Sequence, residues 1–136
     1  MSVSTFAASP MPSRFEVHDQ IGDVLDLDLT GTEMRVWLHL AAQMTTGNRV
    51  PISASPIAAE IGVSRTTVSR AVATLRAMHL LLDPDDGLAM INPLYVVHTA
   101  AERDQLVARF ATPAASVDRA ELRRAARRRP HLSLVQ

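Results

Sequence analysis

The stretch Ile57-Ala58-Ala59-Glu60-Ile61-Gly62-Val63-Ser64-Arg65-Thr66-Thr67-Val68-Ser69-Arg70 leaves this chain few ways to fold. Ile57, Ala58 and Ile61 fall on one face at helical spacing. Gly62 comes where that helix has to stop, and glycine enters the left-handed backbone region without the clash a side chain brings. Ser64 follows at the N-cap position of a second helix, its hydroxyl available to an unpaired amide. In the second helix Val68, Ala71, Val72 and Leu75 form an inward stripe, while Arg65, Thr66, Ser69, Arg70 and Ala73 take the opposite face. Ala58, Gly62, Val68 and Ala71 mark the positions where the two helices are expected to approach closely.

Two short helices, a sharp turn between them, and guanidinium and hydroxyl groups on the exposed start of the second describe a helix-turn-helix. Such a face suits a DNA major groove, where a guanidinium can bond guanine O6 and N7 together. On this reading Arg65, Thr66 and Arg70 reach base edges. Ser64, Thr67 and Ser69 contact phosphates or hold the helix entry, and Arg49 and Arg76 clamp the DNA backbone. The plainer alternative is an amphipathic helix whose exposed positions happen to be Arg and Thr, as in a protein-interaction version of the same fold. The combination of glycine turn, serine cap and small residues favours double-stranded DNA as the partner.

The flanking sequence supplies the rest of a winged helix. Thr30-Gly31-Thr32-Glu33 is a capping box, opening a helix through about Met44 with Met34, Trp37, Leu38, Ala41 and Met44 inward. Gly47 is expected at that helix's C-terminal cap. Val50-Pro51-Ile52 reads as a very short strand, with proline tolerable only at an edge. Ser53 or Ser55 caps the next helix, with Pro56 in its first turn. Leu80-Leu81-Leu82, the turn Pro84-Asp85-Asp86-Gly87, and Leu88-Ala89-Met90-Ile91 make a hairpin, the wing. Its tip carries Asp83, Asp85 and Asp86, which would repel phosphates, so the wing is expected to stay off the DNA and seal the core.

Upstream, Asp26-Leu27-Asp28-Leu29 alternates like a half-buried strand, while residues 21–25 also fit a helical turn. Downstream, Thr99-Ala100-Ala101-Glu102 reads as a second capping box, for a helix through about Ala111 with Leu106, Val107 and Phe110 inward. Ser116 is the expected cap of a last helix, residues 117–128. The fold class is therefore mainly α: a winged helix-turn-helix core with a short β hairpin wing and additional C-terminal helices. The expected divisions are a disordered arm at 1–13, an acidic segment at 14–29, the winged helix at 30–97, C-terminal helices at 98–129 that serve dimerisation and carry a basic tail, and a flexible end at 130–136.

Formal net charge is zero, from 14 basic and 14 acidic residues, which by itself argues against a nucleic-acid partner. The distribution overrides the sum. Glu16, Asp19, Asp23, Asp26, Asp28 and Glu33 crowd the front, whereas Arg119, Arg123, Arg124, Arg127, Arg128 and Arg129 crowd the tail. That tail either contacts DNA or meets an acidic segment of a partner chain. There is no cysteine, hence no disulfide or thiolate site. Asp23, Asp26 and Asp28 lack the spacing and closing glutamate of a calcium loop, and His18, His39, His79, His98 and His131 include no pair suited to zinc. No metal, cofactor or catalytic machinery is expected, nor a membrane span or signal peptide, so the expected setting is the bacterial cytoplasm.

Three stretches carry a family resemblance: Leu29-Thr30-Gly31-Thr32-Glu33-Met34-Arg35-Val36, residues 57–70, and Met90-Ile91-Asn92-Pro93. Together they make residues 29–95 resemble the plasmid replication initiators called RepL and, more distantly, MarR-type regulators. An apolar strand ending in Ile-Asn-Pro is similar to those initiators in particular. The resemblance implies binding of double-stranded DNA at a plasmid origin; the more distant one implies a repressor on a promoter palindrome. In either case a homodimer would set two recognition helices in successive major grooves.

Overall fold

The computed structural model describes residues 15–84 and 87–127. In chain order it contains β1 (Glu16–Val17), a 3-10 turn (Asp19–Ile21), α1 (Gly22–Leu25), α2 (Gly31–Gln43), a second 3-10 turn (Thr46–Asn48) and β2 (Arg49–Val50). There follow α3 (Ala54–Ile61), α4 (Arg65–Ala77), β3 (Leu81–Leu82), β4 (Ala89–Ile91), β5 (Val96–Val97), a third 3-10 turn (Ala100–Glu102), α5 (Arg103–Phe110) and α6 (Arg119–Arg127). The arm and the C-terminal end expected to be disordered, and Asp85 and Asp86 of the wing tip, lie outside the described residues.

The winged helix forms as the sequence order implies. α2 begins with both halves of its capping box: the Glu33 amide donates to Thr30 Oγ1 at 3.1 Å, and the Thr30 amide donates to Glu33 Oε1 at 3.0 Å. α2, α3 and α4 pack on one another around Val36, Trp37, Leu40, Ala41, Ile57, Ala58, Val68, Ala71, Val72 and Leu75, all buried. Burying an aliphatic side chain of this size stabilises by about 1.5–3 kcal/mol, so this interface carries much of the fold. A three-stranded antiparallel sheet in the order β2-β4-β3 closes the core, pairing Val50 with Ala89 and Leu81 with Ile91. A second, two-stranded pair joins β1 to β5, Glu16 opposite Val97.

Several local expectations are corrected. Residues 26–29 form no strand; α1 ends at Leu25, and Asp28 takes a φ of 59°, which interrupts extended pairing. Leu38 is outward, 41 % exposed, and the inward stripe of α2 is Val36, Trp37, Leu40 and Ala41, with Met44 buried just past its end. Gly47 is not the cap of α2, which ends at Gln43 with Met44 extended; it lies within the following 3-10 turn at φ 75°. The strand expected at 50–52 is Arg49–Val50, with Pro51 just past it. Thr99 makes no cap bond to the backbone; its hydroxyl donates instead to the Glu102 carboxylate, which also accepts from the Gly47 amide and faces His98. Asp118, not Ser116, caps α6, its Oδ1 accepting from the amides of Ala120 and Glu121 at 3.0 and 3.2 Å.

The tail packs on its own chain. The Ala114 amide donates to the Tyr95 hydroxyl at 2.7 Å, and the Ala115 amide to the Met78 carbonyl at 3.1 Å. Arg119 lays both terminal guanidinium nitrogens on the Glu33 carboxylate, and its Nη2 also donates to the Asp28 carbonyl at 2.9 Å. The first arginine of the basic tail thus meets the acidic front within one molecule.

Candidate nucleic-acid interface

The turn between α3 and α4 is built by three groups. Gly62 sits at φ 77°, ψ 37°, and its amide donates to the Ala58 carbonyl at 2.9 Å, while the Val63 amide reaches the same carbonyl at 3.1 Å. A Cβ added at Gly62 would meet nothing within 4 Å, so glycine serves here for its left-handed backbone and not, as expected, for close helix approach. Arg35 of α2 adds a cap from outside, its Nη2 donating to the Ile61 carbonyl at 2.6 Å. Ser64 then starts α4, its Oγ accepting from the Thr67 amide at 3.1 Å and lying 2.8 Å from the Thr67 hydroxyl. With their hydroxyls paired to one another, Ser64 and Thr67 hold the helix entry.

On α4 the burial alternates as the stripe requires. Val68, Ala71, Val72, Thr74 and Leu75 are buried, and Arg65, Thr66, Ser69, Arg70 and Ala73 are exposed. Among the described residues neither Arg65 nor Arg70 forms a salt bridge or side-chain hydrogen bond. Two guanidiniums and two hydroxyls are thus presented on one face at the N-terminal half of the helix, where the helix dipole adds partial positive charge.

The two expected backbone clamps are placed differently. Arg76, at the last turn of α4, lies against Asp83 of the wing, its Nε 3.1 Å from Oδ2 and 3.2 Å from Oδ1. Arg49 lies on β2 with its guanidinium 5.7 Å from the centre of the Phe110 ring, and Arg109 stacks on the same ring at 4.9 Å. The structure therefore brings Arg65, Thr66, Ser69 and Arg70 together and sets Arg49 and Arg76 apart from them. Arg35, which fixes the turn, was not legible as a site residue: its partner is a backbone carbonyl 26 positions away, and no spacing rule reports that.

Among the described residues, no group of three or more His, Cys, Asp or Glu side chains is placed to hold a metal ion, and no helix is long and apolar enough to cross a membrane. Residues 41–84 match a family model described as an HTH domain. The matched segment runs from the end of α2 through β2, α3 and α4 to just beyond β3, so it covers the turn and both flanking helices. This segment is therefore similar to helix-turn-helix domains. Comparison with curated proteins and with solved structures returned no match.

Proposed function

We propose that the protein binds double-stranded DNA sequence-specifically, with α4 lying in the major groove as a recognition helix and Arg65, Thr66 and Arg70 reading base edges. The observation that carries this reading is the exposed, unpaired pair Arg65 and Arg70, set on one face of a helix whose opposite face is buried. Ser64 and Thr67 order the helix entry, and the exposed Ser69 hydroxyl contacts a phosphate. The protein acts as a homodimer on paired half-sites and serves as a replication initiator of the RepL kind, binding repeats within a plasmid origin. Residues 90–93 support this assignment by likeness. Footprinting on the DNA surrounding its gene tests it: protected repeats in an origin support initiation, and a single palindrome upstream of a coding sequence supports the MarR-like regulator instead. Sedimentation of the protein with and without a footprinted duplex tests the dimer.

Replacing Arg65 or Arg70 with alanine is expected to lose about 1–3 kcal/mol of discrimination at one base position and to relax specificity there. Selection from a random duplex library reads this directly, and an unchanged preferred sequence in both variants would overturn the assignment.

The wing gives a prediction of the opposite sign. Asp83 neutralises Arg76 and adds its own negative charge beside the end of the recognition helix. The Asp83→Asn substitution frees one guanidinium and removes one repulsive charge. Affinity for a random-sequence duplex is expected to rise several-fold, and the slope of log K against log salt to steepen by about 1. Since both side chains are largely exposed, the cost to folding is expected to stay below about 1 kcal/mol. An unchanged slope would mean that this end of α4 stands clear of the phosphates.

A further inference from the structure

We propose that α6 is a second DNA-contacting surface, which follows the phosphate backbone next to the recognition helix through Arg123 and Arg127. It rests on the DNA-binding reading above and extends it to a part of the chain outside the helix-turn-helix.

On α6, Ala120, Leu122 and Ala125 are half-buried, while Glu121, Arg123, Arg124, Ala126 and Arg127 are exposed. Its arginines divide by task. Arg119 is fully engaged by Glu33 and the Asp28 carbonyl, and Arg124 donates to Glu121 at 2.6 Å. Arg123 and Arg127 form no salt bridge or side-chain hydrogen bond among the described residues. Being four positions apart, they stand one above the other on the helix, about 6 Å apart along its axis. Two aligned, unpaired guanidiniums fit a polyanion of repeating charge better than one carboxylate.

The duplex proposed as the ligand of α4 is such a polyanion. Arg119 fastens the first turn of α6 to Glu33 near the N-terminus of α2. Only two positions further along α2, Arg35 bonds the Ile61 carbonyl, the last residue of α3 before the turn into the recognition helix. The first two turns of α2 thus hold both the start of α6, through Glu33, and the turn that leads into α4, through Arg35. Of the carboxylates at that end, Glu33 is paired with Arg119, and the exposed Asp28 lies near the same guanidinium.

The test uses the full chain and a fluorescein-labelled random-sequence duplex, with affinity measured by anisotropy across a series of NaCl concentrations. The variants are R123A/R127A, R123K/R127K and R65A/R70A, each checked by thermal melting. The R123A/R127A slope of log K against log salt is expected to be shallower by up to about 2, at about 0.9 per phosphate released. The loss should be the same on any sequence, and R123K/R127K should restore the slope because lysine keeps the charge. A slope equal to wild type in R123A/R127A, with R65A/R70A impaired, overturns this proposal and leaves the recognition helix standing. The same slope accompanied by a fall in oligomeric mass would overturn it in favour of a protein contact. A wild-type chain that shows no binding to the duplex even at the lowest salt concentration would overturn the DNA-binding reading itself.

Discussion

Replacing Asn92 with alanine is expected to destabilise the protein by about 3–4 kcal/mol, a large share of the roughly 5–15 kcal/mol available to a domain of this size. Asn92 is completely buried, and every polar atom of its side chain is used. Nδ2 donates to the His79 carbonyl at 2.7 Å and to the Thr112 carbonyl at 2.6 Å, and Oδ1 accepts from the Leu94 amide at 3.0 Å. Its own amide donates to the Leu80 carbonyl at 3.1 Å. One side chain thus ties together the exit of α4, where His79 takes a φ of 66°, the end of the wing and the segment leading to α6. Alanine leaves two carbonyls and one amide without partners, at about 1–3 kcal/mol each before water entry offsets part of the loss. Asn92→Asp keeps the acceptor but turns a carboxylate toward two carbonyl oxygens, and is expected to be at least as damaging. Urea unfolding should show a lower midpoint with an unchanged slope. A loss below about 1 kcal/mol would mean that solvent satisfies these groups and that the side chain is not the tie described.

Asn92 also shows where sequence patterns stop being informative. The Ile91-Asn92-Pro93 segment drew notice as a family resemblance, but its physical content is a buried hydrogen-bond hub that no periodicity encodes. Asn48 is the parallel case: it is completely buried, with Nδ2 on the carbonyls of Ile91 and Val96 and Oδ1 on the His98 amide. Those partners lie 43 to 50 positions away. By contrast, the Thr30–Glu33 box, the Gly62 turn and the Ser64 cap involve groups within a few residues, and local chemistry sufficed to find them. The error at Leu38 has a different origin. α2 is apolar over so much of its circumference that two inward stripes fit, and packing against α3 and α4 chooses the one centred on Val36, Trp37 and Leu40. Two-residue strands such as β1 and β5 are too short to show an alternation at all. At the site, the outward face of α4 was legible because its buried stripe fixes it. The engagement of Arg76 was not, since Asp83 comes from the wing across a change of chain direction.

The Glu33–Arg119 clamp sets the second large effect, and it depends on pH. Burial of Glu33 opposes its ionisation, but hydrogen bonds from Arg119, the Thr30 amide and the Arg119 charge outweigh it and hold the carboxyl below the ordinary glutamate value. A carboxyl whose folded-state pKa is depressed favours folding when ionised. Its contribution is therefore complete above about pH 4.5, the ordinary value, and is lost as pH falls through the lower folded-state value. Glu33→Gln is expected to cost about 2 kcal/mol at neutral pH, below the 3–5 kcal/mol of a fully buried broken pair because Arg119 remains partly exposed. The same variant should unfold with a shallower loss of stability on acidification. Some acid sensitivity will remain, because Glu102, held by Gly47, Thr99 and His98, is depressed in the same direction. Arg119→Ala should match Glu33→Gln at neutral pH, and the double variant should lose less than the two single losses combined, since each single change already dissolves the pair. Additive losses, or an acid limb identical to wild type in Glu33→Gln, would show that α6 is held to the acidic front by its apolar contacts and not by this ion pair.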